Sequence, residues 1–109
     1  MDNLQFWQKE FDNKTVAKDF AGREIHRDAS AHSQYSWNID HISPTNSNGP
    51  NTQDNMQITH VKTNEEKGDK NTFTINGTQY QVKKTKKTLD SEWADYDYTN
   101  KKYCIVVVE

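Results

Sequence analysis

Between Asp40 and Asp69 the chain places, at fixed spacing, side chains able to move a proton and to hold a hard cation. Asp40-His41 leads; Asn55 follows His41 by 14 residues, Asn64 by 23 and Lys67 by 26. An imidazole, with an ordinary pKa of about 6.5, accepts a proton near neutral pH. Carboxylate and amide oxygens are hard ligands, of the kind Mg²⁺ or Mn²⁺ takes together with several waters. Thiolate chemistry is poorly served: the single cysteine, Cys104, excludes an intramolecular disulfide and any zinc site built on two or more thiolates. His26 and His32 lie in polar sequence and read as surface residues. His60 precedes Asn64 by one helical turn and reads either as an additional ligand or as a structural histidine.

These side chains need elements to bring them together. Tyr35, Trp37 and Ile39 alternate with Ser36, Asn38 and Asp40, which predicts a half-buried strand over residues 35–41 that Pro44 stops. Residues 45–54 are nearly all Asn, Ser, Thr, Gly and Pro, a loop of the length that small domains keep for function. A second short strand is expected over 55–59, then a helix over 60–67 that Gly68 caps. Neighbouring strand residues face opposite ways, so Asp40 and His41 converge on one point only if the strand ends there. Upstream, Leu4, Phe6, Trp7 and Phe11 predict an amphipathic N-terminal helix, and residues 15–26 a short hairpin turning at Gly22. Downstream, Phe73 to Val82 around Asn76-Gly77 reads as a hairpin with a type I′ turn. Leu89 to Trp93 reads as a short helical turn and Tyr103 to Val108 as a buried strand. The expected class is α+β, in one domain spanning residues 1–109.

The order Trp37-Asn38-Ile39-Asp40-His41-Ile42-Ser43-Pro44, polar loop, Asn55-Met56-Gln57, Asn64-Glu65-Glu66-Lys67-Gly68-Asp69 resembles the HNH endonuclease family. That family's motif runs as an [I/V]-D-H-I-x-P strand, a glycine-containing loop, an N-L-Q strand and an N-x-x-K-G-D helix. Asp19-Phe20-Ala21-Gly22-Arg23-Glu24-Ile25 is similar to the D-x-x-G-R-x-I stretch of small bacterial and phage members. The core resemblance covers residues 35–70. It implies a ββα-metal unit, here with an added N-terminal helix and hairpin and a C-terminal hairpin and strand. It implies a metal-dependent endonuclease that cuts phosphodiester bonds, with nucleic acid, double-stranded DNA first, as substrate. By the same resemblance His41 is the general base, and Asp40 and Asn64 hold one Mg²⁺ or Mn²⁺. Asn55 counts with the catalytic residues through its usual task of tying the loop so that His41 is aimed. Lys67 is assigned to phosphate or to the helix C-terminus, with Lys62 and Lys70 as further phosphate contacts. Many family members carry two Cys-x-x-Cys pairs around a structural zinc. The second pair would fall at His60 and Thr63 and the first is missing, so no structural zinc is expected.

Composition bounds the rest. With 109 residues, 31% of them apolar, the chain supports one modest core. No apolar run reaches the roughly 20 residues of a membrane span, and the first residues lack the basic flank and apolar region of a secretory signal, so a cytoplasmic protein is expected. A net charge of −2 argues at first against nucleic acid. The charge is uneven, however: −3 over residues 1–60, +4 over 61–88 and −3 over 89–109. The middle block carries Lys62, Lys67, Lys70, Lys83, Lys84, Lys86 and Lys87, and a local basic field suffices to draw in phosphate. The C-terminal block interleaves Asp90, Glu92, Asp95 and Asp97 with Trp93, Tyr96 and Tyr98. This leaves a second reading: an HNH-fold inhibitor or regulator that binds a protein partner through Trp93, Tyr96 or Tyr98.

Overall fold

The computed structural model describes residues 2–109. The chain forms α1 (Asn3–Phe11), β1 (Val16–Lys18), β2 (Glu24–His26), β3 (Trp37–His41), β4 (Met56–His60), α2 (Val61–Lys67), β5 (Thr72–Ile75), β6 (Thr78–Lys84) and β7 (Tyr103–Val107). The class is α+β, as the sequence predicts.

Local chemistry accounts for the helix ends. Asp2 caps α1: its carboxylate accepts from the Gln5 backbone N–H at 2.8 Å, and the Gln5 side chain accepts from the Asp2 N–H at 3.0 Å. This capping box satisfies two donors that a helix start otherwise leaves free. The helix buries Phe6 and Trp7, whereas Leu4 turns outward, so the apolar stripe is narrower than its sequence suggests. His60 caps α2, its Nδ1 accepting from the Lys62 N–H at 3.0 Å. Gly68 ends α2 at φ +57°, where a side chain would be strained.

Three small antiparallel sheets result: β1–β2, β3–β4 and β5–β6–β7. Asn76 and Gly77, at φ 50° and 80°, make the tight turn between β5 and β6. Pairing of β3 with β4 runs from Trp37–His60 to His41–Met56, which brings the end of β3 beside the start of β4. The pair lies between two cores. Phe6, Trp7, Ile25 and Ile58 form one, under α1 and the β1–β2 hairpin. Phe20, Ile42, Phe73, Ile75, Tyr98 and Ile105, with their neighbours, form the other, against the three-stranded sheet. Being packed on both sides, β3 does not show the simple alternation read from its sequence. Asp40, expected on the polar face, is its most buried residue.

Asp19 joins the first hairpin to this frame. Its carboxylate is fully buried and accepts from the backbone N–H groups of Ala21, Arg23 and His60, each at 3.0 Å. The junction of β4 and α2, from which Asn64 projects, is thus tied to the Gly22 turn. Arg23 extends the tie by donating to Thr63 Oγ1 at 3.0 Å and pairing with Glu66.

Candidate active site

The strand β3 ends at His41, and this resolves the conflict between Asp40 and His41. Asp40, His41 and Asn64 line one cleft of about 190 Å³, together with Ile39, Pro44, Thr45, Gly68 and Asp69. Asn64 is half-buried on α2 and does not point into the core. Its amide nitrogen donates to Asn38 Oδ1 at 2.9 Å, which commits the NH₂ end and leaves the amide oxygen as the uncommitted one.

Beyond His41 the chain is fastened by Asn55. The Asn55 side chain is fully buried; its oxygen accepts from the Ser43 N–H and its nitrogen donates to the carbonyls of Ser43 and Pro50, all at 2.9 Å. The Asn55 carbonyl also accepts from the Ile42 N–H at 2.8 Å. With every polar atom engaged by backbone, Asn55 ties the loop and has no polar atom free for a substrate. Gly49 permits the same turn, because a Cβ there would stand 1.9 Å from the Ser43 carbonyl oxygen.

The loop so held carries Asn51, whose Oδ1 lies 2.9 Å from His41 Nε2. An amide oxygen only accepts, so this contact requires the proton on Nε2, the tautomer in which a neutral ring carries its lone pair on Nδ1. Sequence reading gave Asn51 no role, and its only signal was its place in a polar loop of unusual length.

Lys67 departs from its expected role. Its ammonium is fully buried, 3.2 Å from Asp40 Oδ2, 3.4 Å from Asp40 Oδ1 and 2.8 Å from the His41 carbonyl oxygen. It cannot reach phosphate; it joins α2 to the last two residues of β3. Burial pushes the Asp40 carboxyl above its ordinary value against the pull of Lys67, and pushes the Lys67 ammonium below its own against the pull of Asp40. On the inner side Gln57, also fully buried, donates Nε2–H to Asp40 Oδ2 at 2.9 Å.

His60 is a structural histidine. Its Nε2 donates to the Gln34 carbonyl at 2.6 Å while Nδ1 accepts from Lys62, so neither nitrogen is left for a cation. Among the described residues, no three His, Cys, Asp or Glu side chains cluster so as to hold a metal ion. Any cation in the cleft would therefore rest on carboxylate and amide oxygens, water and substrate.

Lys62 and Lys70 are exposed, as are Lys84, Lys86, Lys87 and Lys102. Of the last four, Lys102 meets the end of the 44–55 loop, and the turn that carries Lys84, Lys86 and Lys87 is bonded to Lys102 through Thr85. The Lys102 N–H donates to the Asp54 carbonyl at 2.7 Å and the Thr85 N–H to the Lys102 carbonyl at 3.2 Å. On the other side, Val82 N–H donates to the Asn71 carbonyl and the Asn71 side chain to Ser47 Oγ.

Of the aromatic residues of the C-terminal block, Tyr98 is buried, and Trp93 and Tyr96 are partly exposed. Tyr98 is fully buried and donates to Gln57 Oε1 at 2.6 Å. Tyr96 donates to Glu10 at 2.5 Å and accepts from the Ile58 N–H at 3.2 Å. Trp93 is half-buried beside Val106. Of Trp93, Tyr96 and Tyr98, expected to grip a protein partner, Tyr98 is corrected: it is fully buried and cannot be reached by a partner, while the Tyr96 hydroxyl is engaged with Glu10 and Ile58. No helix among the described residues is long and apolar enough to cross a membrane.

No curated protein and no solved structure matches the chain. A protein-family model does match, that of the HNH endonucleases, over residues 22–70, the stretch that runs from the turn at Gly22 through the whole cleft to Lys70. On that match, and on the order of Asp40-His41, Asn55 and Asn64 within it, residues 22–70 are similar to the HNH endonuclease family.

Proposed function

We propose that the protein is a divalent-metal-dependent endonuclease acting on DNA, with His41 as general base and with Asp40 and Asn64 as the protein ligands of one Mg²⁺ or Mn²⁺. The observation that carries this reading is the convergence of Asp40, His41 and Asn64 on one cleft, with Asn51 on His41 Nε2. The donor set fits such a cation. Asp40 Oδ1 has one contact, of 3.4 Å, and the Asn64 amide oxygen is uncommitted. Both are hard oxygens, suited to an ion that keeps several waters. When bound, the ion supplies charge stabilisation for the scissile phosphate and the departing 3′ oxygen.

The chain's own residues do the rest. His41 Nδ1 takes a proton from the attacking water while Nε2–H stays on Asn51, so that imidazolium formation leaves the ring's orientation unchanged. Lys67 holds the His41 carbonyl, and Asn55 holds the Ile42 and Ser43 backbone just beyond it, which restrains the position of the base. The exposed Lys84, Lys86, Lys87 and Lys102, joined to the end of the 44–55 loop through the Lys102–Asp54 bond, support a duplex as substrate, since its phosphates would meet positive charge there.

Nicking of supercoiled plasmid over a titration of Mg²⁺ or Mn²⁺, with and without chelator, tests the reading. Wild type should nick only with metal. Asn64→Ala should raise the half-saturating metal concentration by about 10- to 100-fold, the usual range when a metal's surroundings are disturbed. Protein inert across several divalent metals would overturn the proposal.

A further inference from the structure

Tyr98 lies outside the segment that matches the family, yet it is two hydrogen bonds from the cleft. Its hydroxyl donates to Gln57 Oε1 at 2.6 Å, and Gln57 Nε2 donates to Asp40 Oδ2 at 2.9 Å. Tyr98 and Gln57 are fully buried and Asp40 is 6% exposed, so this line of bonds runs through the interior. Burial, and next the neighbouring Tyr96, push the Tyr98 phenol well above its ordinary value, so it stays a donor.

The order of the atoms matters. A primary amide has an accepting end and a donating end. With the Tyr98 hydroxyl on Oε1, the NH₂ end of Gln57 must face Asp40. Turned the other way, Gln57 would set its oxygen against a carboxylate oxygen in a dry interior, where such a repulsion is poorly screened. The hydroxyl therefore decides which end of Gln57 meets Asp40. Gln57 thus takes Oδ2, and Lys67 straddles the carboxylate at 3.2 Å from Oδ2 and 3.4 Å from Oδ1, so Oδ1, with one long contact, is the less committed oxygen of a residue that lines the cleft.

We propose that Tyr98, acting through Gln57, is a positioning residue that turns Asp40 Oδ1 toward a divalent cation, so that the C-terminal segment completes the metal site. This rests on the metal-dependent reading above.

The experiment measures Mn²⁺ binding directly, by the loss of the free-ion electron paramagnetic resonance signal, alongside plasmid nicking. Tyr98→Phe removes one oxygen and keeps the ring. It should bind Mn²⁺ about tenfold more weakly, the lower end of what outer partners of a metal ligand contribute. Its nicking rate at saturating Mn²⁺ should stay within about threefold of wild type, because the base is untouched. Gln57→Met should weaken Mn²⁺ binding in the same direction, and adding Tyr98→Phe to it should change nothing further. Tyr96→Phe is the control: it removes a phenol hydroxyl bonded to Glu10 and to the Ile58 N–H but to neither Gln57 nor Asp40, and should leave Mn²⁺ affinity unchanged. Equal Mn²⁺ affinity in wild type and Tyr98→Phe would overturn the relay and leave the nuclease reading standing. Equal weakening in Tyr96→Phe would overturn it too, by showing general loosening. A wild-type protein that neither binds Mn²⁺ nor nicks would overturn both readings together.

Discussion

Replacing Lys67 by methionine removes one charge and keeps a side chain of similar length. The ammonium is fully buried, 3.2 Å from Asp40 Oδ2 and 2.8 Å from the His41 carbonyl, and Asp40 is itself 6% exposed. Taking away one partner of a buried pair strands the other's charge and costs about 3–5 kcal/mol. An exposed pair would cost about 0–1 kcal/mol, so the two cases are well separated. Against a typical total stability of about 5–15 kcal/mol, the larger figure is a third or more. The pH dependence identifies the cause. Burial raises the Asp40 carboxyl, and Lys67 is the largest influence holding it down, so the rise grows when Lys67 is gone. A carboxyl whose folded pKa exceeds its unfolded value of about 3.9 binds its proton more tightly in the folded state. Stability is then lost as pH rises from the unfolded value through the folded one. Lys67→Met should therefore lie nearest wild type in acid and furthest from it near neutrality. Urea denaturation at several pH values between about 5 and 8 measures this, with the double variant Asp40→Asn/Lys67→Met alongside. The double variant should recover most of the loss. The reasoning is refuted by a cost under about 1 kcal/mol near pH 7, by the same cost at both ends of the range, or by no relief from Asp40→Asn.

Other outcomes follow from the same geometry. Asn51→Ala should lower the nicking rate by about 10- to 100-fold with metal affinity unchanged, whereas Asn51→Asp, which still accepts from Nε2–H, should restore most of it. Gly49→Ala drives a Cβ to 1.9 Å from the Ser43 carbonyl oxygen, and that backbone is pinned by Asn55. It should cost about 1–3 kcal/mol in urea denaturation and abolish nicking together. The triple variant Lys84→Ala/Lys86→Ala/Lys87→Ala should weaken DNA binding and flatten its salt dependence by about 0.9 in log–log slope for each phosphate that is no longer neutralised. An unchanged slope would place the duplex elsewhere.

Elements were legible in the sequence wherever one local signal decides them. The Asn76-Gly77 turn, the strands at 37–41 and 56–60 and the cap at Gly68 each rest on a few adjacent residues. The residues of the cleft were legible too, because their spacing is short and ordered. Roles set by burial were not. Lys67 read as a phosphate contact because lysine is rarely buried, and its partner Asp40 comes from a strand placed on the wrong face. Tyr96 and Tyr98 read as a binding surface because an aromatic residue among acids looks amphipathic in one dimension. In three dimensions their hydroxyls answer Glu10 and Gln57, 86 and 41 residues away. The hub at Asp19 was equally silent: three backbone donors, one of them 41 residues distant, leave no mark on composition or period.

The central claim is that His41 moves the proton in a metal-dependent cut, and one comparison reaches it most directly. Wild type and His41→Ala are assayed on supercoiled plasmid at the same saturating Mn²⁺, with Mn²⁺ binding measured on the same samples. Equal Mn²⁺ binding is expected, with a fall in nicking of about 10²- to 10⁴-fold, the range a positioned general base contributes. Nicking by His41→Ala at the wild-type rate, with the metal bound in both, would contradict it.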